Sequence, residues 1–565
     1  MSDRAPLKVV LCWHMHQPQY LDVESGRYLL PWTYLHTIKD YVDMAEILRQ
    51  VPGARAVVNF APILLEQIAD YADQVHGYLH ENIPIRDPLL AALVTPALPV
   101  DNESRTALMK GCLRANRERI VNRFKPYRLL AEMVECIEDR PAAARYLNQQ
   151  FLIDLLMWFH LGWLGETVRR DDARVRALMD KGAGYSQHDR RLLLQVIGEL
   201  LAATLENYRR LTEQGRVELA MSPYGHPIVP LLLDLESAKE AMPEAHMPAL
   251  SSYPSGRERA RWHMEEGRRV FEEHLGVTPS GCWPSEGGVS RATLELLAEC
   301  GFKWAATGGS VLHNSLERAG QDAPKCIHRP YQVEGCDISC FFRDDGLSDL
   351  IGFTYAGWHG DDAVNNLVHH LENIAGACAD ETNRVVAIIM DGENAWESYP
   401  ENGYHFLTAL YERLSSHPGL ELTTFADCVE SCEPTPLDDL VAGSWVFGTF
   451  STWIGDRDKN RAWDLLGEAK RAFDAAVARG ALEGERLRAA ERQLAICEGS
   501  DWFWWFGDYN PAEAVRDFDR LYRLHLSNLY RLIGEEPPDE LSHIISHGGG
   551  APEMGGVMRR AQGDA

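Results

Sequence analysis

The chain has 565 residues, 45% of them hydrophobic, which is too long for one compact core and carries the ordinary apolar share of globular proteins, so two or three domains are expected. Asp and Glu outnumber Lys and Arg by 83 to 56, and the formal charge of -27 repels phosphate backbones and anionic headgroups, so neither nucleic acid nor a membrane is an expected partner. The N-terminus, Met-Ser-Asp-Arg-Ala-Pro-Leu-Lys, has no apolar signal region and no apolar run is long enough to span a bilayer, which together predict a cytoplasmic protein.

Short β-rich runs alternate with longer segments of helical periodicity, the pattern of an α/β protein with a parallel sheet covered by helices. Strands are expected at 8–13, 56–60, 217–221, 281–283, 303–307, 338–342, 385–390 and, more weakly, 421–424, about the number that closes a barrel. The stretch 102–215 is rich in helix formers and periodic Leu, too large for a simple crossover, and reads as a helical insertion. Glu433, Pro434, Thr435 and Pro436 mark a boundary. Residues 1–432 are therefore read as the catalytic domain and 433–540 as a C-terminal helical domain. Helices are expected at 456–498, broken near Gly480 and Gly484, and at 511–532, on either side of an aromatic run from Asp501 to Asp508. A tail at 541–565, Gly-rich from His547, is expected to be disordered. The twelve cysteines are scattered and several lie in apolar runs, so they read as reduced core residues. Cys336 with Cys340, and Cys428 with Cys432, lack the further partners of a zinc site.

The first strand ends in Trp13-His14-Met15-His16-Gln17-Pro18, and alternation puts His14 and His16 on one side at its C-terminal mouth. His-x-His, with His226 as a third ligand, fits a metal-dependent deacetylase. It fits equally a set of imidazoles that, with Gln17, hydrogen-bonds sugar hydroxyls, or one that satisfies buried backbone. Two acids break the tie. Glu286 follows Trp283-Pro284-Ser285, an aromatic face beside a carboxylate, as a pyranose ring requires, although a helix-capping Glu would look the same. Asp391 ends the apolar run Val-Val-Ala-Ile-Ile-Met and opens Asp391-Gly392-Glu393-Asn394-Ala395-Trp396-Glu397, three acids that are costly to bury unless they meet ligands or one another.

At this point the chain resembles glycoside hydrolase family 57, in its α-amylase and amylopullulanase-like branch. The family's blocks occur in order as His16-Gln17-Pro18, Gly225-His226-Pro227, Trp283 to Glu286, Asp391-Gly392-Glu393 and the Trp-bearing segment 445–463. The resemblance implies an incomplete seven-stranded (β/α) barrel followed by a helical domain that helps to close the site. It implies Glu286 as nucleophile and Asp391 as general acid/base of a retaining glycoside hydrolase, whose carboxyls stand about 5 to 5.5 Å apart. His14, His16, Gln17, His226, Trp283, Trp396, Trp453 and Trp463 would bind the substrate. Arg343, Asp344 and Glu393 would stand behind the acids, Arg343 and Asp344 pairing with one of them or with each other, and Trp504 and Trp505 read as core packing more than as platforms. No metal and no cofactor is implied. The expected partner is an α-glucan such as maltodextrin, glycogen or pullulan, and the sequence leaves the oligomeric state open. Gly225 stands where a bulkier residue is usual, which would widen the pocket. The alternatives are an α-glucan transglycosylase (a 4-α-glucanotransferase or branching enzyme), the metal-dependent deacetylase built on His14 and His16, and a non-catalytic glucan-binding protein.

Overall fold

A computed structural model describes residues 5–138, 141–321, 326–550 and 558–560. Seven parallel strands form the barrel: β1 (Leu7–Met15), β2 (Ala56–Phe60), β3 (Val217–Met221), β4 (Gly281–Cys282), β5 (Trp304–Thr307), β6 (Ser339–Phe342) and β7 (Val385–Asp391). Their order around the sheet is β7-β1-β2-β3-β4-β5-β6. These strands read as continuous apolar runs because both faces are covered. Val10, Cys12, Val57, Ala220, Phe341, Ala387 and Ile389 fill the interior, while Val9, Leu11 and Trp13 face the surrounding helices. The same alternation carries His14 to the interior side at the mouth.

Strands β6 and β7 touch through one parallel bridge, Arg343 with Ala387, where Asp344 N–H donates to Ala387 O at 2.7 Å. The barrel is therefore incomplete, as the resemblance implies. The eighth expected strand exists as Leu420–Thr423, but it lies outside the ring and pairs with Leu7–Val10 of β1. Two short strands, Tyr331–Val333 and Thr435–Leu437, extend the sheet at its β6 edge.

The stretch 102–215 is helical wherever it is regular, and ends in the 27-residue helix Gln187–Glu213. Beyond the sheet, helices Arg457–Ala478, Gly484–Cys497, Ser500–Trp505 and Ala512–Leu532 form the C-terminal unit, with the expected break at Gly480 and Gly484. One apolar core runs from the insertion into this unit, so the two pack as a continuous cover over the barrel mouth.

Two expectations are corrected. The tail is fixed as far as Gly550: Ile545 N–H donates to Asp519 Oδ1 at 2.7 Å, Gly507 N–H to Ser546 Oγ at 3.0 Å, and Gly549 and Gly550 N–H both donate to Asn510 O. A Gly-rich composition did not free it, because buried carboxylate and carbonyl acceptors were waiting for its backbone. Its remainder at 551–557 and 561–565 lies outside the described residues. Cys326 and Cys378 are joined as a disulfide with Cα atoms 5.3 Å apart, so the cysteines are not all reduced. Cys336, Cys340, Cys428 and Cys432 are free. Among the described residues no helix is long and apolar enough to cross a membrane.

Candidate active site

Asp391 is the last residue of β7 and stands in register with His14 on β1, with Gly392 N–H donating to His14 O at 2.6 Å. Asn394 Nδ2 donates to Asp391 Oδ2 at 3.1 Å. Glu286 follows β4 in the turn Ser285–Gly287 with φ 57° and ψ 26°, a left-handed conformation that costs a non-glycine residue about 1 to 3 kcal/mol. The helix-capping alternative fails, since Ser290 caps the next helix by accepting from Thr293 N–H. Trp445 holds the strained turn twice: its backbone N–H donates to Glu286 O at 3.2 Å and its indole Nε1 to Glu286 Oε2 at 3.0 Å.

Both acids line the base of one cleft of about 2300 Å³. Burial pushes the Glu286 carboxyl up to about 8, the Asp391 charge adds to this, and the Trp445 hydrogen bond opposes it. Burial pushes Asp391 up to about 6 against the opposing effects of Asn394, Arg343 and His16. The two titrate as a pair that holds one proton between these values; taken site by site the values put that proton on Glu286, and the form with Glu286 ionised and Asp391 protonated is the other, less populated arrangement of the pair. That form offers a nucleophile and a general acid at the same pH.

The histidines form a layer beside the acids. Ser500 Oγ, His226, His14 and Asn59 are linked in a hydrogen-bond chain of 2.9, 3.1 and 2.6 Å. Asn59 Oδ1 can only accept, so the protons run from Ser500 Oγ to His226, from His226 Nε2 to His14 and from His14 Nδ1 to Asn59. Each imidazole carries one, and burial holds His14 down at about 3 and His226 well below the usual histidine range. His226, like Glu286, has a positive φ (59°). His16 stacks on His226 with centroids 3.8 Å apart, and its Nε2 meets Asp501 Oδ2 at 2.9 Å. His16, His226 and Asp501 bring potential ligand atoms within 4.8 Å of one another. A metal there would have to break either the His226 chain or the His16–Asp501 contact, so the donors present fit a fixed polar wall better than an ion site.

Other expected residues sort differently. Gln17 lines the cleft and donates through Nε2 to Glu393 Oε1 at 3.1 Å. Arg343 lines it too, bonded to Ile389 O, Asp345 and Asp349. Asp344 turns away to His328 Nε2 at 2.9 Å, so neither pairs with the other or with an active-site acid, contrary to expectation. The four expected tryptophan contacts are corrected: Trp283, Trp396, Trp453 and Trp463 are at most 1% exposed and none lines the cleft. Trp283 packs edge-on against Trp445, Trp396 against Trp13, and Trp463 stacks on Phe503. The cleft instead carries Trp32, Trp163, Trp445, Trp504 and Trp505, and the core reading of the last two holds as well, since Trp504 is buried in the apolar core and Trp505 packs against it while an edge of each reaches the cleft. A tryptophan beside a motif is local information, but which face of it stays open depends on distant packing.

Gly225 does not widen the pocket. A Cβ there would lie 2.4 Å from Ala495 O, so the glycine lets the C-terminal unit dock directly on the His226 turn, where Ser500 N–H donates to His226 O at 2.9 Å. Sequence reasoning missed Asn59, Ser500 and Asp501, and saw Trp445 only as part of a block. Asn59 had a signal, a polar residue inside the apolar run Ala56–Phe60. The others come from the C-terminal unit, and nothing local marks them.

The protein is 21% identical over 398 residues to the 1,4-alpha-glucan branching enzyme TK1436 of Thermococcus kodakarensis, a match covering 58% of this chain and 55% of that one. The chain thus spans about half the length of that curated relative. The crystal structure of TK1436 superposes with a TM-score of 0.57 at 16% identity, covering 93% of this chain and 90% of that one. The GH57-type branching enzyme of Pyrococcus horikoshii gives 0.59 at 16%, with 95% and 93% covered, and the alpha-amylase AmyC of Thermotoga maritima 0.57 at 14%, with 95% and 94% covered. These structures share the fold. The sequence profile of glycosyl hydrolase family 57 matches residues 10–440, about three quarters of the chain, and the protein belongs to that family.

Proposed function

We propose that the protein is a retaining α-glucan-active enzyme, in which Asp391 protonates the glycosidic oxygen while Glu286 attacks the anomeric carbon and forms a glycosyl-enzyme. Asp391 then deprotonates the incoming hydroxyl and the sugar leaves Glu286. The observation that carries this reading is the pair itself: two carboxyls on separate strand ends, at the base of one cleft, both raised towards neutrality. The His16–Asp501 pair lines the cleft and supplies polar contacts for the hydroxyls of the sugar under attack, while the His14–His226 chain, whose ring nitrogens are all engaged, holds it from behind. His226 is fully buried and lines no part of the cleft, so its expected contact with substrate is replaced by this supporting one.

Transfer to a second glucan is the favoured outcome, with 1,4-α-glucan branching as the specific activity. It is supported by the names of the relatives and by a cleft several times larger than a single-sugar pocket, walled by Trp32, Trp504 and Trp505, which suits two chains and disfavours free water. Hydrolysis of the amylase type is the second reading, favoured by the likeness to AmyC. The test is incubation with amylose and maltooligosaccharides in the presence of chelator, followed by debranching and chain-length analysis. New α-1,6 branches with little reducing sugar support transfer, shortened chains with stoichiometric reducing ends support hydrolysis, and no change in any α-glucan contradicts both. Chelator-sensitive activity would return the deacetylase-like metal reading.

A further inference from the structure

Behind the barrel seam lies a cluster that the chemistry above does not use. Cys326 and Cys378 are buried, His328 lies beside their disulfide, and the two sulfurs and an imidazole nitrogen all lie within 4.8 Å of one another. None of the three lines the cleft. His328 Nδ1 is a buried nitrogen with no hydrogen-bond partner among the described residues, while its Nε2 is held by Asp344 Oδ2 at 2.9 Å. A carboxylate gripping one imidazole nitrogen so that the other is presented to soft donors is the arrangement found around ligating histidines. The disulfide leaves that nitrogen unused.

We propose that Cys326, Cys378 and His328 are a second site, which in the reduced protein binds one thiophilic divalent cation of the zinc type. Two thiolates and a neutral imidazole make a neutral complex with a 2+ ion, which a buried position tolerates, and they leave a fourth position for water. Ligand atoms around a tetrahedral zinc stand about 3.3 to 3.8 Å apart, so opening the disulfide and shifts of about 1 Å suffice. Reduction by a dithiol transfers its two hydrogens to the two sulfurs and leaves the reductant as its own disulfide. The cation then displaces both thiol protons to solvent. The site staples the seam in either state: Cys378 ends the helix Gly360–Ala377, Val385 N–H at the start of β7 donates to His328 O at 2.9 Å, and Asp344, which grips His328, donates its backbone N–H across the seam to Ala387 O at 2.7 Å.

The test uses the full chain, reduced with a dithiol and freed of it under argon, then titrated with Co2+ and back-titrated with Zn2+. One equivalent of Co2+ with thiolate charge-transfer and tetrahedral visible bands, displaced by Zn2+ and absent from the oxidised protein, is expected. Cys378→Ser should abolish the bands, and His328→Gln, whose amide can still reach Asp344, should weaken binding by about 10- to 100-fold with an unchanged circular dichroism spectrum. His16→Gln should leave them unchanged. Failure to release two thiols, absence of stoichiometric Co2+ in the reduced chain, or equal binding by Cys378→Ser overturns the proposal.

Discussion

The barrel strands and the C-terminal helices meet at the same cleft but contribute to it differently. The barrel supplies the reacting carboxyls, and each is prefigured locally, at the end of β7 and in the turn after β4. Residues beyond the barrel supply Trp445 to Glu286, Ser500 to His226 and Asp501 to His16, whereas Asp391 is tuned within the barrel domain by burial, Asn394, Arg343 and His16. The second layer thus acts on one acid and on the histidines, and the barrel domain alone sets the surroundings of the other.

The comparison breaks most sharply at the acids. Glu286→Gln and Asp391→Asn should each lower kcat on α-glucans by about 10⁴-fold or more while leaving the fold intact by circular dichroism. If either variant keeps activity, the barrel's contribution has been misread. Next, Asp501→Asn should cost about 10- to 100-fold in kcat/KM, the loss of one hydrogen bond to a charged acceptor, although Asp501 lies more than a hundred residues after either acid. An unchanged kcat/KM would mean that the helices only cover the site.

The pH dependence sharpens the same contrast. Activity should fall below about pH 6, where a second proton neutralises the pair, and above about pH 8, where the last proton leaves. Trp445→Phe removes the hydrogen bond that favours ionised Glu286, so the alkaline limb should move to higher pH as kcat falls by about tenfold. A limb that stays in place would separate Trp445 from the titration of Glu286.

Smaller effects probe the docking itself. Gly225→Leu should destabilise the C-terminal unit by about 1 to 3 kcal/mol in denaturant unfolding, because its side chain meets the Ala495 carbonyl. Trp463→Phe should cost about 1 to 2 kcal/mol of stability without raising KM for maltooligosaccharides, since the ring is core and its indole N–H donates to Trp453 O. A raised KM with unchanged stability would restore Trp463 as a sugar platform.

Strands 56–60 and 217–221 were readable to the residue, because a continuously apolar run bounded by polar turns has few other homes. Glu286, Asp391, His14 and His16 were legible as residues at the barrel mouth for the same reason, since each lies at or just after the C-terminal end of such a run, and all four line the cleft, which His226 does not. The open ring faces were not. Trp283 and Trp463 carry the same local signal as Trp445 and Trp505, and only packing against segments distant in sequence decides which ring is sealed and which stays half-buried. Gly225 shows the limit from the other side, for its missing side chain admits a backbone from the helical unit and not a substrate.

The central claim is that Glu286 carries the sugar between donor and acceptor. Incubation with a 5-fluoro α-glycosyl fluoride, which slows the second step, followed by peptic digestion and peptide mass spectrometry, tests it directly. The account predicts one glycosyl mass on the peptide bearing Glu286, lost in Glu286→Gln. A label on Asp391, or inactivation with no covalent label on either acid, would contradict it.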